Sequence, residues 1–139
     1  MTTTGTVKVL IADDETHIRD LFEIILTHAL PGLTVDKAGD GLEAVRLFNG
    51  YHHDVIIMDL HMPELDGIQA FRLIRDSCEK EKRKMPPVVF CTGFTPPVAL
   101  CRLIGAGEYH GLLHKPVRSQ EIVEVVKAKL ALSASVAPS

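Results

Sequence analysis

The sequence predicts an α/β fold in which a five-stranded parallel sheet is covered by helices on both faces, a doubly wound arrangement. Three observations predict it. Short apolar runs recur five times, segments with helical spacing lie between them, and turn or cap residues punctuate the joins. Strands that are apolar almost throughout are what burial on both faces requires, because a sheet with one wet face would alternate apolar and polar residues.

The strands are read at Val7–Ile11, Leu33–Ala38, Val55–Met58, Val88–Cys91 and Gly111–His114. After the first, Ile18, Leu21, Phe22, Ile25 and Ala29 share one helical face, and Pro31-Gly32 ends that helix. Asp40 and Glu43 have the spacing of a capping box and open the second helix. Ile68, Phe71 and Ile74 form the stripe of the third. Thr95-Pro96-Pro97 reads as an N-cap followed by first-turn prolines, opening the fourth. Ser119 is the expected cap of the fifth, whose stripe is Ile122, Val125, Val126 and Leu130. The mixed-charge run Glu79–Lys84 reads as a solvated helix end. A single domain is expected over residues 1–139, with a core at about 7–131 and a frayed tail at 132–139.

Composition removes several classes of function. At 139 residues, a chain buries roughly two-thirds of its unfolded surface and needs no disulfide or zinc staple. Hydrophobic residues make up 46%, too many for a disordered chain. Lys+Arg 15 against Asp+Glu 18 leaves a net charge of −3, so no positive field for direct nucleic-acid binding is expected. Apolar runs such as Val55 to Met58 are far short of the ~20 residues a membrane span needs, so no membrane insertion is expected. No secretory signal is read at the start of the chain. Cys78, Cys91 and Cys101 are odd in number and form no CxxC, which suits free thiols in a reducing cytoplasm. His17, His28, His52, His53, His110 and His114 match no zinc spacing.

Ligands of such sheets bind beyond the carboxyl ends of the strands, where the winding reverses. Strand one runs into Asp13-Asp14, strand three into Asp59, strand four into Thr92-Gly93 and strand five into Lys115-Pro116. Strand two ends in Ala38-Gly39, with no such group. Each polar residue alone is explained by a turn or a helix cap. Four together are not.

The ordered stretches Leu10-Ile11-Ala12-Asp13-Asp14-Glu15, Met58-Asp59-Leu60-His61-Met62-Pro63-Glu64-Leu65-Asp66-Gly67, Thr92-Gly93 and Lys115-Pro116 resemble the receiver domain of two-component response regulators, chemotaxis receivers included. The resemblance spans residues 7 to about 131. It implies a flavodoxin-like (βα)5 sheet of order 2-1-3-4-5, which makes strands one and three neighbours ~4.8 Å apart. Three carboxylates would then crowd together, and a cation would relieve them. The resemblance assigns Mg²⁺ to Asp13, Asp14, Asp59 and the backbone carbonyl of His61, and the phosphoryl group to Asp59. It gives Lys115, Thr92 and Gly93 the phosphoryl-binding and switch roles, and it implies a cis bond before Pro116. The implied partners are a sensor histidine kinase or histidine phosphotransfer protein as donor and a downstream protein target, with a phosphorylation-linked homodimer as a further possibility. The implied role is cytoplasmic signalling, with no enzyme activity beyond the chain's own phosphorylation and dephosphorylation. A stand-alone receiver is the favoured form, and the receiver portion of a longer regulator is the other.

The chain departs from the family at one place. Members often carry an aromatic residue three positions before the lysine, and Leu112 stands there. Tyr109 is six positions before it, and the expectation is that Leu112 packs while Tyr109 lies on the surface. Bulky Phe94, two residues after Thr92, is expected to slow hydrolysis of an acyl phosphate, and His61 is expected to be a solvated loop residue. Val98, Arg102 and Ile104 are candidate partner contacts on the fourth helix.

The residues leave two rival functions open. Gly39, Gly41 and Ala44 satisfy a relaxed dinucleotide fingerprint after a strand, which predicts an NAD-binding module. Asp40 would set a carboxylate beside the pyrophosphate, however, and a capping turn explains the pattern. A metal-dependent aspartyl phosphatase is the second rival. It is disfavoured by His61, which occupies the position where such enzymes carry an acid–base aspartate.

Overall fold

The computed structural model describes residues 6–105 and 107–135. The chain alternates strand and helix five times: β1 (Val7–Ala12), α1 (Thr16–Ala29), β2 (Leu33–Ala38), α2 (Gly41–Tyr51), β3 (Val55–Asp59), α3 (Gly67–Glu81), β4 (Val88–Thr92), α4 (Val98–Ile104), β5 (Gly111–His114) and α5 (Ser119–Ser135). All pairings are parallel and the sheet order is β2-β1-β3-β4-β5, as the resemblance implies. β1, β3 and β4 each extend one residue beyond the expected end, taking Ala12, Asp59 and Thr92 into the ladder.

Side chains alternate between two apolar layers because successive strand residues point to opposite faces. Leu10, Ala12, Ile56, Met58 and Phe90 pack with Phe48, Ala70, Phe71 and Ile74 of α2 and α3. Val9, Ile11, Ile57 and Cys91 pack with Phe22 and Leu26 of α1 and Ile122 and Val126 of α5. The central strands β3 and β4 are buried along their whole length, while the edge strand β5 is only half-buried. No helix among the described residues is long and apolar enough to cross a membrane.

Helix starts differ from expectation in instructive ways. Asp40 accepts from the Glu43 amide at 2.7 Å, but the Glu43 carboxylate reaches the Gly39 amide rather than that of Asp40. A complete capping box forms instead at Asp66 and Gln69. Thr95 does not cap α4, which opens after Pro97 without a side-chain cap. The cause is the proline pair: the residue preceding a proline is held extended, so Pro96 cannot begin a helix. Ser119 is the first residue within α5, and the Arg118 amide donates to Glu121 at 2.9 Å. On α1 the buried side chains are Phe22 and Leu26, while Leu21 and Ala29 face solvent, so the apolar stripe is rotated from its expected phase. The tail expected to fray from residue 132 is helical through Ser135, and 136–139 lie outside the described residues.

The segment before β5 is tied down rather than loose. Tyr109 is half-buried, and its hydroxyl donates to the Met85 carbonyl, so it is not the surface residue expected. The His110 Nδ1 accepts from the Val88 amide at 3.0 Å. The buried Lys129 ammonium donates to the carbonyls of Glu108 and His110. Leu112 is half-buried against the α2–α3 layer, and no ring stands in its place. Tyr109 is anchored before the start of β4, and Thr92 stands at the strand's far end, ~13 Å along it at the usual rise per residue.

Burial, then the nearby Lys129 charge, pulls His110 down from its ordinary value of 6.5 to about 4. Its Nδ1 can accept the Val88 proton only while the ring is neutral at that atom. A histidine whose folded value is depressed contributes stability that is full above its unfolded value and is lost as pH falls toward its folded one. Unfolding in urea should therefore show stability falling by about 1 kcal/mol between pH 7 and pH 5, after allowance for the ring's partial exposure. The slope should flatten in His110→Gln, and an unchanged slope would show that this histidine does not titrate as described.

Candidate functional site

The strand order decides which residues meet. The chain winds from β1 outward to β2 and then returns to β3 on the other side, so a crevice opens above the carboxyl ends of β1 and β3. Ala12 is paired with Met58, and the next residues, Asp13 and Asp59, are thus set side by side. Both are buried, at 2% and 5% exposure, which is uncommon for aspartate. Asp14 is exposed at the mouth. One carboxylate oxygen from each of Asp13, Asp14 and Asp59 lies within 4.8 Å of the others.

Lys115 enters from the other side. The amide of Lys115 donates to the Thr92 carbonyl at 2.8 Å, which continues the β4–β5 ladder one residue past His114. The Lys115–Pro116 bond is cis. The Lys115 ammonium lies 3.1 Å from Asp13 Oδ2 and 3.4 Å from Asp59 Oδ1. Asp13 is held further by the Glu15 amide, which donates to its Oδ1 at 2.9 Å. The His61 amide approaches Asp59 Oδ1 at 3.4 Å. The His61 side chain is exposed, but it is not simply solvated: the Phe94 ring meets it edge-on, with centroids 5.2 Å apart.

The loop from Asp59 to α3 is shaped by two glycines. A Cβ at Gly67 would sit 2.5 Å from the Asp59 carbonyl oxygen, and one at Gly41 would sit 2.2 Å from that of Leu65. Neither clash can relax without moving backbone, so both positions require glycine for close approach. At Gly93, by contrast, a Cβ would meet nothing within 4 Å, so open space faces this residue. The buried Thr92 hydroxyl accepts from the Phe94 amide at 3.1 Å and lies 3.3 Å from the Phe94 carbonyl as donor. Thr92, Phe94, Pro96, His114 and Lys115 line a cavity of about 530 Å³ beside the carboxylates.

The electrostatics are those of crowded like charges. Burial, then the Asp13 charge, raises the Asp59 pKa above the ordinary carboxylate value, and Lys115 opposes this. Burial pulls Lys115 down, but its hydrogen bond to Asp13 and the charges of Asp13 and Asp59 outweigh that and hold it above the ordinary lysine value. Hard oxygen donors in a tight cluster, with one anion disfavoured, are what a small divalent cation suits. On donor type and spacing, the three aspartates fit Mg²⁺.

Residues 9–127 match the sequence model of the response regulator receiver domain. The chain belongs to that family. Curated relatives of this receiver domain include the regulatory protein AtoC of Escherichia coli, 31% identical over 90% of this chain and 25% of the relative. The transcriptional regulatory protein PdtaR of Mycobacterium tuberculosis is 34% identical over 86% of this chain and 55% of the relative. The chain spans 17% to 55% of the length of the curated relatives it matches. Among solved structures, the chemotaxis response regulator CheY4 of Vibrio cholerae superposes with a TM-score of 0.75 at 28% identity, covering 91% of this chain and all of that one. The receiver is a phosphoryl-accepting domain of two-component signalling.

Neither rival function finds support in these comparisons. The glycine fingerprint has a structural origin: Asp40 caps α2, Gly41 makes room for the Leu65 carbonyl, and Ala44 is buried in the core. Three contributors to the site had no signal in the strand ends. Gly67 and Gly41 shape the loop, and the Arg19 guanidinium donates to the Asp13 carbonyl at 2.6 Å. On the fourth helix Val98 and Arg102 are exposed, but Ile104 packs against the core and is not a free contact.

Carboxyl-carbon NMR in metal-free buffer reads the electrostatic balance directly. Asp13→Asn removes a neighbouring anion and should lower the Asp59 pKa, whereas Lys115→Met removes the opposing cation and should raise it. Shifts of the opposite sign would contradict the arrangement.

Proposed function

We propose that Asp59 is the phosphoryl acceptor, that Asp13, Asp14 and Asp59 with the His61 carbonyl hold Mg²⁺, and that Lys115, Thr92 and Gly93 bind the phosphoryl group. The observation that carries this reading is the burial of Asp59 beside Asp13 with the Lys115 ammonium 3.4 Å away. The donor is a phosphohistidine on a sensor histidine kinase or a histidine phosphotransfer protein. An Asp59 oxygen attacks phosphorus, the N–P bond breaks, and the imidazole leaves with the electron pair. Bound at this cluster, Mg²⁺ supplies charge neutralisation for the carboxylate and phosphoryl oxygens.

Each neighbouring group has a physical part. The Lys115 ammonium, already placed against Asp59, offers a second positive charge to a phosphoryl oxygen. Open space at Gly93 lets its amide approach without a side chain in the way. For Thr92 to donate to the phosphoryl group, its hydroxyl must turn from the Phe94 carbonyl. Phosphorylation is thereby felt in the segment that leads to α4, where Phe94 and Val98 are exposed. A bias of a few kcal/mol between two arrangements suffices for a partner to read the difference. Leu112 holds the position where family members often carry an aromatic residue, so no ring stands there to follow Thr92 inward.

The reading includes no direct nucleic-acid partner, no membrane insertion and no turnover of outside substrates. It places the domain in the cytoplasm with a protein target downstream, and a phosphorylation-linked homodimer is a second way for the exposed α4 region to be read.

Acetyl phosphate with Mg²⁺ should raise the intact mass by one phosphoryl group in the wild type and not in Asp59→Asn, and chelation with EDTA should abolish the gain. Equal gain in the variant would move the acceptor elsewhere. In the same assay Phe94→Ala should shorten the phosphoryl half-life, because the ring packed on His61 shields the acceptor from water. An unchanged half-life would remove that role from Phe94.

A further inference from the structure

We propose that Arg19 is a positioning residue for the divalent-cation site: by holding the Asp13 carbonyl it fixes the peptide that presents Asp14. The inference rests on the assignment of Asp13, Asp14 and Asp59 as the cation ligands. Asp14 is exposed, and among the described residues it is anchored through its two flanking peptides. The peptide after it is fixed by the Glu15 amide, which donates to Asp13 Oδ1 at 2.9 Å. The peptide before it is fixed by Arg19, whose Nη1 donates to the Asp13 carbonyl at 2.6 Å. Removing the second anchor leaves the peptide preceding Asp14 free to rotate and the ligand oxygens free to separate.

The local structure accounts for the reach. Helical side chains slope toward the N-terminus, so Arg19, one turn into α1, covers the turn that contains Asp13. The guanidinium is steadied by Thr16 Oγ1, which accepts from Nη2 at 3.2 Å. It also lies over the bare backbone of Gly39, where a Cβ would stand 3.3 Å from Nη1. Glu43 holds that stretch in turn, accepting from the Gly39 amide at 2.7 Å. The end of β2, which contributes no ligand, thus serves as the seat of the residue that aims one. Helix stability does not explain a cation here, since the positive end of the α1 dipole favours acids in its first turns.

Charge and position predict opposite signs, which makes the test decisive. On Coulomb grounds alone, removing a positive charge near an acidic site should tighten Mg²⁺. If Arg19 acts by position, Arg19→Gln should weaken Mg²⁺ by about tenfold, the usual scale for residues that orient metal ligands. Calorimetric titration of metal-free wild type, Arg19→Gln, Arg19→Lys and Asp14→Asn with MgCl₂ reads this without any phosphoryl transfer. Arg19→Lys keeps the charge but carries its donors on a single nitrogen, without the fork that also reaches Thr16, and it should fall between wild type and Arg19→Gln. Should Arg19→Gln fail to fold by circular dichroism, weakened binding by Arg19→Lys supports the proposal and wild-type affinity overturns it. Equal or tighter binding by a folded Arg19→Gln overturns the positioning role while leaving the cation site intact. No binding by the wild type, or full binding by Asp14→Asn, removes the site assignment and this inference with it.

Discussion

Two aspartates forced together at adjacent strand ends are the constraint on which the rest of the structure depends. Parallel pairing of β1 with β3 leaves no choice: once Ala12 lies opposite Met58, Asp13 and Asp59 are neighbours, and both are buried. Like charges that close raise the cost of ionising one of them. The Lys115 ammonium, delivered from β5 across the intervening β4, offsets part of that cost. One ammonium thus stands against two buried carboxylates and the exposed Asp14 beside them, an excess of negative charge that a cation would relieve.

The surroundings keep this crowding from relaxing. Carboxylates on free loops would simply move apart. Here the main-chain amides of Glu15 and His61 approach them, and the loop after Asp59 is pressed so closely on its neighbours that Gly67 and Gly41 admit no side chain. The scaffold beneath is two apolar layers on a sheet whose middle strands are wholly buried, a rigid base for groups at the strand ends. Beside Asp59 the Thr92 hydroxyl is joined to the Phe94 backbone, and the helix that follows, α4, is short.

Much of this was legible in the sequence because topology converts local patterns into place. Apolar runs and helical stripes predict the layers, and a polar residue just after a buried strand is carried to the sheet's edge wherever the strand lies. Asp13, Asp14, Asp59, Thr92 and Lys115 could be read in that way. What escaped was contact between elements distant in sequence. Arg19 looks like any exposed helical arginine until Gly39, in the turn after β2, is known to lie beneath it. Tyr109 looks like a surface residue until its loop is seen to fold back on Met85. The caps at Thr95 and Ser119 failed for a local reason, since a proline pair delays one helix and Arg118 precedes the other. The α1 stripe was misphased because Leu21 and Leu26 are equally apolar, and only packing against β1 and α5 decides which is buried.

The most direct measurement of the central claim is a crystal structure grown with Mg²⁺ and beryllofluoride. The account predicts the beryllium bonded to an Asp59 oxygen, the magnesium shared by Asp13, Asp14 and Asp59, the Lys115 ammonium on a fluorine, and the Thr92 hydroxyl turned away from the Phe94 carbonyl. Electron density that left Asp59 unmodified under saturating beryllofluoride, or a magnesium bound away from these three carboxylates, would contradict it.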